Sequence, residues 1–295
     1  MPESNGINLH DDPALFRESV NFTAARTGFN ARLIEKDYFC TVLLAHLVRL
    51  GGDQLVFRGG TCLAKVHAGF YRLSEDLDFA ISLPVDASRK IRQQAVAEVK
   101  EAVAGIADQV SVFTTVQPLQ GANDSTQYNG AIGYDSPTTG QKETILVEVS
   151  VREPLLMQAG NAPAKTLLLD PVSGESTVPP LPVNCIALTE AIAEKFRAAM
   201  SRRDVAIRDF YDLHYMIEHM GLDTCSAQLV NLVRQKLAVP GNLPIDVSKE
   251  RMAALRRQLD ARLKTVLRHS EFQVFDLDRA VKLVAGMAVR VSQAD

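Results

Sequence analysis

A chain of 295 residues that is 46% hydrophobic is long enough to bury a sizeable core, and its length predicts two closely packed domains. A charged fraction of 23% excludes wholesale disorder. The net charge of −3 excludes a general nucleic-acid coat protein but leaves room for a local basic patch.

The N-terminal stretch from Met1 to Asp12 is polar and acidic, without a basic or an apolar region, so no signal peptide is expected. No run approaches the roughly 18 uninterrupted apolar residues of a membrane span; Thr41 to Val48 is broken by His46 and followed by Arg49. A cytoplasmic protein with no membrane partner is the expectation. Cys40, Cys62, Cys185 and Cys225 are far apart and form no C-x-x-C, which predicts reduced thiols and no zinc site.

Residues 13 to 50 read as helical, with Leu33, Tyr38, Val42, Leu43, His46 and Leu47 recurring mostly at three- and four-residue spacing. Gly51-Gly52-Asp53 ends that unit. Leu55 to Phe57 predicts a short strand, and Thr61 to His67 a helix that Gly69 stops. Asp76 to Ser82 alternates as a strand, with Leu77, Phe79 and Ile81 on one face and Asp76, Asp78 and Ala80 on the other. Residues 86 to 109 predict one charged, alanine-rich helix. Val110 to Val116 and Gly130 to Tyr134 are weaker strand candidates, separated by a polar loop at 121 to 129. Ile145 to Val151 alternates again, with Glu148 on the non-core face. The Pro-, Gly- and Ser-rich stretch from Pro163 to Pro182 reads as a hairpin or connector with a turn at 171 to 174 and as the domain junction, and most of the chain after Ile186 reads as helix. The expected class is α/β (α+β) with a mixed sheet, divided into an N-terminal helical segment at 1–50, a core at 51–185 and a helical C-terminal domain at 186–295.

Gly59-Gly60-Thr61 stands between a strand and a helix, where backbone N–H groups can approach a phosphate and the helix start adds partial positive charge. Lys65 lies one helical turn on. A glycine pair alone is usually only a tight turn, and the spacing is not that of a Walker A loop. Asp76 and Asp78, at i and i+2 on a strand, point the same way and can grip one site; magnesium favours such carboxylates together with substrate phosphate oxygens. Exposed polar edges are common, yet two adjacent anions repel and gain nothing structurally without a cation. Glu148 is the candidate third carboxylate, and it converges with the pair if the two strands are neighbours.

Leu188 to Tyr215 is dense with polar groups, including Lys195, Arg202, Arg203, and Arg208-Asp209-Phe210-Tyr211-Asp212. Such cations can neutralise charge in phosphoryl-type transfer, whereas an i, i+4 salt-bridge ladder is the plainer account. Lys249 to Arg268 carries seven basic residues against two acidic ones; it can lie along RNA phosphates or form a solvated face, the commoner case.

Four segments in order resemble the AbiEii/AbiGii toxin family of nucleotidyltransferases, which includes the MenT-type toxins of type IV toxin–antitoxin systems. They are Ile34-Glu35-Lys36-Asp37-Tyr38; Phe57-Arg58-Gly59-Gly60-Thr61-Cys62-Leu63-Ala64-Lys65; Arg72-Leu73-Ser74-Glu75-Asp76-Leu77-Asp78-Phe79; and Glu194-Lys195-Phe196-Arg197-Ala198 followed by Arg208-Asp209-Phe210-Tyr211-Asp212-Leu213. The resemblance implies a minimal nucleotidyltransferase core joined to a helical domain, an NTP substrate, and Mg2+ (Mn2+ as the substitute). It also implies release of pyrophosphate as a nucleotide passes to an acceptor. Carried over, Gly59, Gly60 and Lys65 would hold the NTP, and Asp76 and Asp78 the metal; the reading of the residues adds Thr61 and Arg208 to the NTP set and Glu148 as the third metal ligand. Lys195 and Asp209 would fill the family's later lysine and R-D-x-x-D roles, so that the catalytic set is Lys65, Asp76, Asp78, Lys195 and Asp209. The family implies an RNA acceptor, foremost the tRNA 3′ end, with translation blocked, and a separate winged-helix antitoxin. The alternatives from the residues alone are a D-x-D glycosyltransferase and a non-catalytic nucleotide-binding regulator.

Overall fold

The computed structural model describes residues 7–293, so the N-terminal stretch read for a leader lies partly outside the described residues. The chain divides into two units, one formed by Met1–Pro154 with Ala159–Cys185 and the other by Leu155–Gln158 with Ile186–Asp295.

The first unit begins with two helices where the apolar pattern predicts one continuous helical stretch. Helix α1 (Pro13–Thr27) starts on Asp12, whose carboxylate accepts the N–H groups of Ala14 and Leu15. It ends at Gly28 with φ of 76°, a left-handed conformation that glycine takes without a Cβ clash. Asn30 then caps α2 (Ala31–Leu50) by accepting the Arg32 N–H at 2.9 Å. Next come β1 (Val56–Arg58), α3 (Gly59–Cys62), a π-helical turn at Leu63–His67, and β2 (Leu77–Ala80). The single helix expected over 86 to 109 is instead three short ones, α4 (Arg89–Ala95), α5 (Ala97–Ala104) and α6 (Ile106–Gln109), interrupted at Val96 and Gly105.

The remaining strands are β3 (Phe113–Ala122), β4 (Gln127–Asp135), β5 (Lys142–Ser150), β6 (Gly160–Ala164) and β7 (Leu181–Cys185). Most of the expected loop at 121 to 129 is therefore strand, closed by a turn in which Asn123, Asp124 and Ser125 all have positive φ. The seven strands form one mixed sheet in the order β3-β4-β5-β2-β1-β7-β6. Strand β2 runs parallel to β5 and antiparallel to β1, while β1 runs parallel to β7. Pro118 and Pro163, which cannot donate to a ladder, sit on the two edge strands.

Helix α2 rests on this sheet: the Phe39 ring centroid lies 4.1 Å from that of Tyr134 and 6.2 Å from that of Phe113. The same helix also buries three consecutive charged residues, Glu35, Lys36 and Asp37. Each has a partner, as burial of a charge requires. Glu35 accepts the backbone N–H and the hydroxyl of Thr138, Lys36 pairs with Glu75 at 3.5 Å, and Asp37 pairs with Lys65 at 2.7 Å.

The second unit contains α7 (Leu188–Ser201), α8 (Ile207–Met220), α9 (Ala227–Ala238), α10 (Lys249–Gln258), α11 (His269–Val274) and α12 (Leu277–Ser292). Lys236 of α9, fully buried, bridges Glu190 at 2.7 Å and Glu194 at 3.2 Å on α7. Glu190 also accepts the N–H groups of Leu156 and Met157, which ties that short segment to the helices. The basic stretch at 249 to 268 is not one helix. It passes from α10 into a π turn (Leu259–Leu263) and a 3-10 turn (Lys264–Val266), and much of its charge is used internally. Arg251 donates to the carbonyls of Ala199 and Arg202, Arg256 pairs with Asp278 at 2.9 Å, and Arg268 pairs with Glu271. Lys249, Arg257 and Arg262 of this stretch are exposed. Among the described residues, no helix is long and apolar enough to cross a membrane.

Candidate functional site

Strand register brings two of the three candidate carboxylates together. In the parallel β2–β5 pair, Leu77 stands beside Val147, Asp78 beside Glu148 and Phe79 beside Val149. Leu77, Phe79, Val147 and Val149 are buried, so Asp78 and Glu148 share the opposite, half-buried face. Asn129 of β4 lies next to Glu148 in register, and Gln127 of the same strand donates its amide to Glu148 Oε2 at 2.6 Å. Asp76 immediately precedes β2; its backbone carbonyl accepts the Thr61 hydroxyl, fastening the glycine turn to the start of the aspartate strand.

The glycine turn is shaped by what crosses it. Gly59 has φ of 74°, and a Cβ there would lie 2.1 Å from Asp78 Oδ2. A Cβ on Gly60 would lie 2.6 Å from the Arg72 guanidinium and 3.1 Å from the Ser74 hydroxyl. Side chains pack against the backbone at both glycines, an anion over Gly59 and a cation over Gly60. Arg72 is 2% exposed and donates to the carbonyl of Leu73.

Two residues expected on the NTP are turned inward. Thr61 is buried, with its hydroxyl committed to Asp76. Lys65 is 1% exposed, and its ammonium holds the Asp37 carboxylate at 2.7 Å, Thr41 Oγ1 at 2.8 Å, the Asp37 carbonyl at 3.1 Å and the Lys165 carbonyl at 3.4 Å. An ammonium has three protons to give, and these partners take them. Lys65, expected on the triphosphate, thus lies in the π turn with its ammonium on Asp37 and Thr41 of α2. Asp37 in turn accepts from the Thr166 hydroxyl and the Leu167 N–H. Burial pushes the neighbouring Cys40 thiol up to about 12, so it stays protonated near neutrality.

The later polar cluster lies wholly within the second unit. Lys195 on α7 pairs with Asp209 at 2.8 Å and with Asp212 at 2.9 Å, both on α8. Asp209 and Asp212 are 5% and 0% exposed, whereas Arg202, 3.7 Å from Asp209 Oδ2, is exposed. The i, i+3 spacing of the two aspartates places both on the α8 face that meets Lys195. Arg208 is half-buried on the first turn of α8.

Among these residues, Gly59, Gly60, Thr61, Lys65, Asp76, Asp78 and Glu148 belong to the first unit, and Lys195, Arg208 and Asp209 to the second. Sequence reasoning did not assign roles to Asp37 and Arg72. The run of charges on an otherwise apolar helix was a signal for Asp37; nothing in the local pattern marked Arg72 as a buried neighbour of Gly60.

The family described as the nucleotidyl transferase AbiEii toxin of type IV toxin–antitoxin systems matches residues 42–282. No curated protein matches the sequence. Among solved structures, JHP933 from Helicobacter pylori is similar at 17% identity and a TM-score of 0.50, over 89% of this chain and 93% of that one. MenT4, a nucleotidyltransferase toxin from Mycobacterium tuberculosis, is similar at 18% identity and a TM-score of 0.40, over 95% of this chain and 99% of that one.

Proposed function

Because the chain belongs to the AbiEii family of nucleotidyltransferase toxins, we propose that it transfers NMP from an NTP to an RNA acceptor, the tRNA 3′ end, and so blocks translation. The observation that carries the site assignment is the side-by-side register of Asp78 and Glu148 on one half-buried face. Two carboxylates held together in this way suit a hard divalent cation, and an all-oxygen donor set favours Mg2+ or Mn2+. Asp76, Asp78 and Glu148 would hold it. When bound, such an ion activates the attacking hydroxyl and neutralises charge on the leaving pyrophosphate.

The chain's own residues set the geometry. Gly59 admits the Asp78 carboxylate against the turn, and Thr61 holds the start of β2 through the Asp76 carbonyl. Backbone N–H groups at Gly59 and Gly60 are the donors for triphosphate oxygens. Lys65 acts as a positioning residue, fixing the π turn to α2 through Asp37. In the second unit, Lys195 is oriented by Asp209 and Asp212, and these residues with Arg208 fill the roles of the family's later lysine and R-D-x-x-D motif. In the reaction, an acceptor hydroxyl oxygen bonds to the α-phosphorus as the bond to pyrophosphate breaks, with the hydroxyl proton released to solvent.

The type IV toxin–antitoxin family brings with it an antitoxin partner. We place the enzyme in the cytoplasm, where NTPs and tRNA are found, with a separate winged-helix antitoxin. The test is incubation of purified protein with total RNA and each α-labelled NTP in turn. The wild type is expected to label a small RNA in the tRNA size range, and Asp78→Asn and Lys195→Ala, assayed at a temperature where both variants remain folded, are expected not to. Undiminished labelling by Asp78→Asn would overturn the site assignment, and NTP turnover without labelled RNA would overturn the acceptor.

A further inference from the structure

Three residues that the nucleotidyl-transfer site does not use converge in the first unit. Cys62 is the last residue of α3, His67 ends the π turn, and Cys185 is the last residue of β7. The Cys62 and Cys185 sulfurs and a ring nitrogen of His67 all lie within 4.8 Å of one another. The sequence gives no zinc spacing because the convergence is made by topology. Strand β7 pairs in parallel with β1, placing Cys185 beside Phe57 only a few residues before Cys62. The π turn does the rest. Its i→i+5 hydrogen bond, from the Ala68 N–H to the Leu63 carbonyl at 2.8 Å, widens the helix so that a residue five positions on returns toward the face of the first.

We propose that Cys62, His67 and Cys185 form a binding site for a borderline-soft divalent cation of the zinc type, separate from the hard-cation site at Asp78 and Glu148. Two sulfurs and an imidazole are the donor set such an ion prefers over magnesium. Bond lengths of about 2.3 Å to sulfur and about 2.0 Å to nitrogen place tetrahedral ligand atoms about 3.4–3.8 Å apart, so closing the cluster requires a contraction of only about 1 Å. The thiols must give up their protons on binding. Cys62 and Cys185 are buried while His67 is half-exposed, which leaves one side for entry and for a fourth ligand. Bound there, the ion would clamp the helix that follows the glycine turn to the last strand of the unit.

The test uses the full chain, prepared metal-free under reducing conditions and titrated with Zn2+ against a chromophoric chelator, with Co2+ as a spectroscopic probe. One equivalent of Zn2+ is expected to bind in the presence of excess Mg2+, and Co2+ is expected to show thiolate charge-transfer bands and the visible absorption of a tetrahedral ion. Cys185→Ser should abolish both. His67→Gln, at a half-exposed position that folding tolerates, should weaken Zn2+ binding by at least the roughly 10- to 100-fold seen on removing even an outer-shell partner. Cys225→Ser, an exposed thiol elsewhere, should bind like wild type. The proposal is overturned by failure of the wild type to take up one equivalent, or by equal uptake in Cys185→Ser. A Cys62–Cys185 disulfide forming on oxidation, in a chain that when reduced takes up no zinc, would also overturn it.

Discussion

The Asp78 carboxylate occupies the space that a side chain on Gly59 would fill, with Oδ2 2.1 Å from the position of an ideal Cβ. Strand pairing produces this contact, because Arg58 and Asp78 are register partners in the antiparallel β1–β2 ladder and Gly59 is the next residue along. The glycine is thus required twice, once for its φ of 74° and once for the carboxylate packed on it.

Gly59→Ala is therefore expected to cost about 1–2 kcal/mol for the left-handed backbone alone. Displacement of Asp78 adds to that cost. The melting temperature should fall by several degrees, while nucleotidyl transfer falls further than the lost folded fraction accounts for. Comparing labelling rates at a temperature where both proteins are fully folded separates the two effects. Equal rates per folded molecule would show that the Asp78 position does not matter.

Lys65 and Asp37 form a buried ion pair, 1% and 2% exposed, and removing one partner of such a pair costs about 3–5 kcal/mol because the other charge is stranded. Lys65→Met and Asp37→Leu should each be strongly destabilised, and the double variant less so than the sum of the two. Urea unfolding of the four proteins measures the coupling. An additive result would mean that the pair is not a structural unit and would return Lys65 to the list of residues free to meet a phosphate.

The sequence carried the local signals well and the long-range ones poorly. The alternation of β2 and β5 was legible because one face of each is buried, and it placed Asp78 and Glu148 on the open face; that the two strands are neighbours is a matter of topology, which periodicity does not encode. The break at Gly28 was hidden inside an apolar pattern that continues on both sides of it. Lys65 was read by its distance from Thr61 along an ordinary helix, and the π turn changed the direction in which it points. The Cys62, His67 and Cys185 cluster joins segments more than a hundred residues apart, so cysteine spacing could not reveal it.

Acid sensitivity follows from His46, a buried residue of α2. Burial lowers its pKa from 6.5 and the Arg49 charge lowers it further, against a hydrogen bond with the Ala102 carbonyl that raises it. The folded state thus prefers the neutral ring. The stability this contributes is complete above 6.5, where the unfolded chain is also neutral, and is lost as pH falls from 6.5 through the lower folded value. His10 and His214 shift in the same direction. The melting temperature should therefore drop between pH 7.5 and pH 5, and His46→Gln should make that drop shallower. An unchanged slope would show that His46 protonates in the folded protein as readily as in the unfolded one.

Gln127 offers the most selective probe of the third carboxylate. Its amide donates to Glu148 Oε2 at 2.6 Å, which fixes the orientation of the carboxylate beside Asp78 without contributing a charge of its own. Partners that orient a ligand in this way are worth about 10- to 100-fold in metal affinity. Gln127→Ala should raise the Mg2+ concentration needed for half-maximal transfer by about 10-fold and leave the rate at saturating Mg2+ near that of wild type. Glu148→Gln, which removes the charge itself, should lower the saturating rate as well. If Gln127→Ala left the Mg2+ dependence unchanged while Glu148→Gln remained active, Glu148 would be a strand residue and the cation would rest on Asp76 and Asp78 alone.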